Sequence, residues 1–187
     1  MAVQNAQHYR FTADEYERMA AEGIIPPDAR VELIDGEILE MTPIGSRHNA
    51  FVDRLTHLLV RRVGDCAIVR VQGSIRLGER VVPQPDFSLL RPREDFYLDA
   101  LPGPSEVLLV VEVADSSLAY DRHEKSRVYA RYGLPEYWLL DLSQRQVLVH
   151  TEPAPGGYGL VEIRRRDDTW TSQTLPELTV SGHDIFG

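Results

Sequence analysis

Residues 107–114, Val-Leu-Leu-Val-Val-Glu-Val-Ala, form an aliphatic run that one carboxylate, Glu112, interrupts near its end. A continuous aliphatic run of this length is typical of a central β-strand that is covered on both faces. There an ionised carboxylate is costly unless it is paired with a cation or bound to a metal. The pattern also allows a second interpretation, in which Glu112 lies at an exposed strand end and is solvated. The run predicts the centre of a sheet and makes Glu112 a candidate functional residue.

The segments on both sides of this strand predict alternating helices and strands. Thr12 is a suitable N-cap, and Glu15 three residues later completes a capping-box pattern. Asp35-Gly36 lies between two short apolar runs, which predicts a β-hairpin. Helices are predicted after Thr12, at 46–63 with Ser46 as a cap, and at 120–132, and further strands at 67–77, 86–90, 137–142, 146–151, 159–164 and 178–180. This order predicts a mixed β-sheet with helices on its faces, in the α/β or α+β class.

The length and composition are those of a soluble globular protein. The chain has 187 residues, of which 43% are hydrophobic and 26% charged, and its longest aliphatic run is too short to span a bilayer. The N-terminal segment lacks the basic and apolar regions of a signal peptide. The single cysteine, Cys66, cannot form an internal disulfide, and we expect it to be a buried structural thiol. These features predict a single domain over residues 1–187 and a cytoplasmic location.

The charge balance is unusual for a nucleic-acid-binding protein. Twenty basic residues against twenty-nine acidic ones leave a net charge of −9, whereas neutralisation of phosphates by basic side chains supplies much of the affinity for nucleic acids. A bound metal would offset part of this acidity locally. Basic clusters at 61–62, 91–93 and 164–166 are more typical of solvated faces than of a phosphate track.

Asp86 is a second candidate because it opens the predicted strand PDFSLL. Alternation along that strand places Phe87 and Leu89 on one face and Asp86 with Ser88 on the other. A carboxylate at the start of a strand is common in turns, so Asp86 carries little weight alone. Two carboxylates on adjacent strand ends, however, can share a hard divalent cation through oxygen ligands.

Lys125 is a third candidate because of its position on the predicted helix that follows the central strand. Lys125, Val128, Tyr129 and Tyr132 form one face at helical spacing, so the lysine is predicted to point toward the core. A core-facing ammonium needs an anionic partner, such as metal-ligating carboxylates or a substrate phosphate. The spacing fits equally well a simple surface pair between Asp121 and Lys125.

These residues resemble a known nuclease pattern. Pro85-Asp86, Glu112 and a later lysine follow the P-D…(D/E)-x-K order of the restriction-endonuclease-like nuclease superfamily. The usual motif has its lysine two residues after the acid, where this chain has Ala114, but some branches carry it on the following helix, where Lys125 lies. More narrowly, the chain resembles the bacterial family of putative restriction endonucleases, long catalogued as a domain of unknown function. The matching segments are VELIDGEILEM (31–41), PDFSLL (85–90), LLVVEVADSS (108–117), YDRHEKSRVYARYGLPEYWLLDL (120–142) and the closing DIFG.

The resemblance implies both a fold and a chemistry. The fold is a restriction-endonuclease-like core, a mixed β-sheet flanked by helices, with an additional N-terminal hairpin and C-terminal strands. The chemistry is hydrolysis of DNA phosphodiester bonds with Mg²⁺ or Mn²⁺ as cofactor. A homodimer or higher homo-oligomer is also implied, and no membrane association is expected.

Residue by residue, the resemblance implies that Asp86 and Glu112 are metal ligands and that the backbone carbonyl of Val113 is a further ligand. Lys125 would orient the attacking water or stabilise the charged transition state. Glu32 matches the acidic residue of the VELIDGE-like segment and is implied to approach the metal.

Three further polar residues are candidates for supporting roles. Gln72 and Asp121 are possible neighbours of the ligands. His48 shares a helical face with Val52 and Leu55, so it points either to the site or, as is more usual for a lone histidine on such a face, into the core.

Three functions remain open on the sequence. The first is a metal-dependent DNA endonuclease. The second is a nuclease-fold module that binds or regulates without cleaving, which the displaced lysine and the acidic charge favour. The third is a metal-dependent hydrolase of another phosphoester.

Overall fold

The computed structural model describes residues 8–187. Residues 1–7 lie outside the described residues. They belong to the N-terminal segment in which the sequence predicted no signal peptide. The architecture is mixed α/β, as predicted, with a six-stranded sheet in the order β3-β4-β5-β6-β7-β8. The strands are β1 Val31–Ile34, β2 Glu37–Glu40, β3 Ile68–Val71, β4 Phe87–Leu90, β5 Val107–Ala114, β6 Glu136–Asp141, β7 Gln146–Ala154, β8 Gly157–Arg164, β9 Thr169–Thr171 and β10 Thr179–Ser181.

Helices cover both faces of this sheet. They are α1 Ala13–Ala21, α2 Ser46–Val63, α3 Leu118–Tyr120, a π-helical segment Asp121–Lys125, α4 Ser126–Arg131 and α5 Gly182–Phe186, with 3₁₀ turns at Gly64–Cys66 and Pro104–Glu106. The predicted capping box is present at the start of α1, where Thr12 and Glu15 cap each other's backbone. Among residues 8–187, no helix has the length and apolar character needed to cross a membrane.

Strand β5 lies inside the sheet, and all eight of its residues are buried. It pairs antiparallel with β4 and parallel with β6, which makes the sheet mixed. On one face, Val111 and Val113 pack in the apolar core that contains α2 and α5. On the other face, Val110 and Ala114 pack in the core that contains α4. Because side chains alternate along a strand, Glu112 projects to the α4 face.

Strands β1 and β2 form the predicted hairpin. Its turn residues Asp35 and Gly36 have φ angles of 51° and 80°, the left-handed values of the turn type that matches the twist of a hairpin. A side chain at position 36 would also collide with Arg10. Backbone hydrogen bonds between Leu33 and Val82 (3.1 and 2.7 Å) fix the hairpin beside the segment that leads into β4. The hairpin thereby brings Glu32 to the edge of the sheet.

Several local predictions were wrong. Strand β3 ends at Val71 instead of continuing to residue 77, because Gln72 adopts a left-handed φ of 48° and its N–H bonds the carbonyl of Asp86. Gly45, not Ser46, is the N-cap residue of α2. Cys66 is exposed because it lies in a 3₁₀ turn after α2. The short elements β9 and α5 were not predicted, although β9 and β10 form a separate two-stranded sheet.

Candidate active site

A pocket of about 480 Å³ opens at the carboxyl end of β5. Its walls come from the N-terminal hairpin with the loop that follows it, from the start of α2, and from the helical segment after β5. The side chains proposed from the sequence meet here, namely Glu32, Asp86, Glu112 and Lys125, with His48 and Asp121 beside them. Chain segments that are far apart in sequence therefore supply one site.

Asp86 is held by three donors. His48 Nε2 lies 3.0 Å from Asp86 Oδ2, the backbone N–H of Val113 donates to the same oxygen at 2.9 Å, and Gln72 Nε2 donates to Oδ1 at 3.3 Å. Burial works to raise the pKa of Asp86, but these donors hold it below its ordinary value. Asp86 therefore remains an ionised, oriented carboxylate, as a metal ligand requires.

Glu112 lies beside Asp86 and is almost fully buried. Its Oε1 accepts from Lys125 Nζ at 2.9 Å and from the Tyr129 hydroxyl at 2.7 Å, and its Oε2 lies 3.3 Å from the backbone nitrogen of Asp86. Burial raises the pKa of Glu112 to about 8, although Lys125 opposes the shift. The interpretation of Glu112 as a solvated strand end was thus wrong.

Lys125 is the only lysine in the chain, among nineteen arginines. Its ammonium lies 2.9 Å from Glu112 and 3.2 Å from Glu32, and the side chain is 4% exposed. Burial would lower the pKa of Lys125, but these two carboxylates raise it above its ordinary value, so the group remains an ammonium ion. The simple surface pair with Asp121 is therefore not the environment of this lysine.

A π-helical segment presents this lysine to the pocket. The Ser126 N–H bonds the carbonyl of Asp121, five residues earlier, and both Asp121 and Lys125 are buried. Such single turns of π-helix occur frequently at functional sites because they re-aim side chains. Here the turn also buries the carboxyl of Asp121, which accepts a short hydrogen bond from Ser117, and burial raises the pKa of Asp121.

Comparison with known proteins identifies the family of this chain. The model of the Uma2 family, described as putative restriction endonuclease, matches residues 13–181. This chain belongs to the Uma2 family. No curated protein matches the chain.

The fold of this Uma2 chain is similar to that of a solved structure. The crystal structure of a putative nuclease belonging to DUF820 from Anabaena variabilis has a TM-score of 0.71 and 19% sequence identity to it. The similarity covers 94% of this chain and 97% of the other. At this identity the comparison shows that the two proteins share the mixed α/β fold, and the family and fold are thus those that the sequence predicted.

Two hydroxyl groups of the Uma2 site were missed by sequence reasoning. Tyr129 donates to Glu112, and Tyr120 donates to Glu32 at 3.2 Å. Tyr129 follows Lys125 by four residues and shares its helical face, so the spacing could have revealed it. Tyr120 precedes Lys125 by five residues. Residues at this spacing are brought together by a π-helical turn but not by an α-helix.

The composition of the Uma2 pocket fits a hard divalent cation. Four carboxylates that are each at most 6% exposed surround one ammonium and one imidazole; they are those of Glu32, Asp86, Glu112 and Asp121. Oxygen ligands of this kind suit Mg²⁺ or Mn²⁺. Among residues 8–187, no three His, Cys, Asp or Glu side chains are arranged to hold a metal ion by themselves. Mg²⁺ needs only one or two carboxylates because it keeps several waters, and Asp86 with Glu112 offers such a pair.

Proposed function

We propose that this Uma2 protein is a divalent-metal-dependent DNA endonuclease whose site is built on Asp86, Glu112 and Lys125. The observation that carries the proposal is the buried ammonium of Lys125, which lies 2.9 Å from Glu112 in a pocket that Asp86 also lines. Membership of a family described as putative restriction endonuclease supports DNA as the substrate.

Asp86, Glu112 and the backbone carbonyl of Val113 would hold Mg²⁺ or Mn²⁺. When bound, such an ion lowers the pKa of water and neutralises phosphate oxygens. The surplus of buried carboxylates supports this assignment, because a divalent cation would compensate negative charge that is otherwise costly to bury. Three donors fix the orientation of Asp86, and three fix that of Glu112.

Lys125 supplies positive charge on the protein side of the reaction. A phosphodiester gains negative charge as water attacks phosphorus, and a preorganised ammonium stabilises that charge without reorganisation of solvent. Glu32 is the group that positions it: its Oε2 accepts from Lys125 and from the backbone nitrogen of Gln84, and its Oε1 accepts from Tyr120. Glu32 would therefore act through Lys125, and its approach to the metal, which the family resemblance implies, stays a prediction.

Two further properties of the chain are proposed from this activity. Residues 1–187 would form one nuclease domain, because the site draws on residues from Glu32 to Lys125 and the family model extends to residue 181. A homodimer would allow both DNA strands to be cut in one encounter, since each chain supplies one such site.

Cleavage of supercoiled plasmid in Mg²⁺ or Mn²⁺ tests the proposal. Wild-type protein should nick or linearise the plasmid, and Asp86→Ala and Lys125→Ala should each abolish cleavage while the proteins remain folded by circular dichroism. Removal of a preorganised donor of this type costs about 10²–10³-fold in rate. Arg127→Gln, an exposed side chain on α4, is the matched control and should retain full activity.

The net charge of −9 favours a second candidate, a nuclease-fold module that binds DNA or regulates without cleaving it. The same plasmid experiment separates the two, because binding without cleavage in either metal would contradict the endonuclease proposal. Activity on small phosphodiesters alone would instead assign a hydrolase of another phosphoester.

A further inference from the structure

The outer face of α2 carries a row of three arginines. Arg47, Arg54 and Arg61 are spaced by seven residues, so they lie nearly in line, about 10 Å apart along the helix axis. All three are exposed. The opposite face of α2 carries Val52 and Leu59, which pack in the core. The row is therefore a solvent-facing line of positive charge on a protein whose net charge is −9.

The row begins at the pocket. Arg47 Nη1 lies 3.2 Å from the carboxylate of Asp115, which lines the pocket, and the adjacent residue His48 contacts Asp86. A polyanion bound in the pocket can thus continue along α2 without crossing an acidic surface of that helix, since Asp53, its one acidic residue, lies to the side of the row.

The two distal arginines contact groups other than carboxylates. Arg54 Nη1 donates to the carbonyl of Ile185 at 3.2 Å, and its guanidinium carbon lies 5.9 Å from the centre of the Phe51 ring. Arg61 Nη1 lies 3.3 Å from His57 Nε2. Within residues 8–187, ion pairs with carboxylates engage Arg47 but neither Arg54 nor Arg61. Both side chains line a cavity of about 330 Å³, together with Arg62 and Asp184, which form an ion pair with each other at 3.5 Å.

We propose that the row Arg47-Arg54-Arg61 binds the phosphodiester backbone of DNA next to the bond that lies in the pocket. The inference rests on the proposed function for its substrate class and adds the surface that the flanking duplex occupies. Charge complementarity carries it, because the guanidinium groups of Arg54 and Arg61 form no ion pair among residues 8–187 and are suited to phosphate oxygens, while Arg47 joins them to the pocket through Asp115. Stabilisation of the helix dipole explains a basic residue in the last turn of α2, such as Arg61, but not one in the middle, such as Arg54.

Binding in EDTA tests the row separately from catalysis. Fluorescence anisotropy with a labelled DNA duplex over a series of salt concentrations gives affinity and salt slope without any cleavage. The double variant Arg54→Gln/Arg61→Gln should bind more weakly, with a salt slope about 1.8 smaller, because each phosphate contact contributes about 0.9. The loss should be equal for duplexes of unrelated sequence, since phosphate contacts carry no sequence information.

A charge-matched control and a charge-preserving variant complete the test. Arg18→Gln/Arg127→Gln removes two exposed arginines from other helices and should leave the slope unchanged, whereas Arg54→Lys/Arg61→Lys should retain most of it. The proposal is overturned if the Arg54/Arg61 double variant matches the control, or if the wild-type protein binds no duplex at low salt. Wild-type binding that depends on the row, without cleavage in Mg²⁺ or Mn²⁺, would support the row and contradict the endonuclease proposal.

Discussion

Two buried glutamates lie on neighbouring parallel strands and have opposite surroundings. Glu136, at the start of β6, is fully buried and accepts hydrogen bonds from Trp138 Nε1 at 2.7 Å, from the Ser172 hydroxyl at 2.6 Å and from the backbone nitrogen of Thr174 at 3.2 Å. Within residues 8–187, no basic side chain forms an ion pair with it. Glu112, near the end of β5, instead meets an ammonium ion and lies at a pocket.

The difference shows which feature of a buried carboxylate points to function. A buried polar group is tolerated when donors satisfy it, and Glu136 has such a closed set of neutral donors. Glu112 has donors too, but three other buried carboxyl groups, those of Glu32, Asp86 and Asp121, share its pocket with a single buried ammonium. Burial alone therefore does not identify a site, whereas a surplus of buried carboxyl groups beside an open pocket does.

The largest expected effect is the response of the two glutamates to the same substitution. Glu112→Gln should reduce plasmid cleavage roughly 10³-fold or more, because residues that act as a unit lose most activity when one is removed. Glu136→Gln should leave cleavage intact and lower only stability. Plasmid cleavage rates in Mn²⁺ and thermal melts, both measured for the two variants, check this prediction. Equal losses of cleavage in the two variants would remove the functional distinction between the two carboxylates.

The second-largest expected effect is the change of metal affinity with pH. Because the pKa of Glu112 is raised to about 8, the group retains a proton at neutral pH that a metal must displace. Metal affinity should therefore rise with pH from 6 to 8, by up to about tenfold per pH unit for one released proton, and level off above 8. Glu136→Gln should not alter this profile.

Because the chain has a single lysine, metal affinity at the site can be measured by NMR of its ammonium group. Selective ¹⁵N-lysine labelling gives one side-chain ammonium resonance, that of Lys125, and Mn²⁺ bound beside Glu112 should broaden it through its paramagnetism. Titration at several pH values gives the affinity directly. In Asp86→Ala the resonance should stay sharp at the same Mn²⁺ concentrations; broadening equal to that in the wild-type protein would place the metal elsewhere.

A smaller loss is expected from His48→Ala, which removes one of the donors that orient Asp86. Groups that orient a metal ligand typically contribute 10–100-fold to metal affinity or activity, so cleavage should fall by about that factor. His48→Gln, which can still donate to Asp86, should recover part of it. His183→Ala, an exposed histidine away from the pocket, is the control. Full activity in His48→Ala would show that Asp86 needs no such support.

Much of the fold could be predicted because it depends on local periodicity. The bounds predicted for β5 are those observed, and the hairpin at Asp35-Gly36 and the capping box at Thr12 follow from sequence rules that act over a few residues. The end of β3 could not be predicted, because the left-handed backbone of Gln72 is coupled to a partner, Asp86, fourteen residues away.

The same limit applies to the site. Glu112 and Lys125 could be selected as candidates because each is a charged residue on an apolar face. The pairing of His48 with Asp86 could not be predicted, since it joins residues 38 positions apart and spacing contains no information on such distances. The contact of Tyr120 with Glu32 depends on the π-helical turn, which no sequence periodicity indicated.

The smallest effect should come from a substitution among the hydrogen-bond donors of Glu136. Ser172→Ala removes one donor to Glu136 and the acceptor of the Leu175 N–H, while Trp138 and Thr174 remain. The free energy of unfolding should therefore fall by about 1–3 kcal/mol, the cost of leaving a buried polar group without its partner. Urea denaturation measures it, with the exposed Ser105→Ala as control. Cleavage by Ser172→Ala should equal that of the wild-type protein, because a network of neutral donors stabilises the fold and takes no part in binding the substrate. A loss of cleavage without a loss of stability would mean that Glu136 belongs to the working site after all, and the contrast with Glu112 would have to be abandoned.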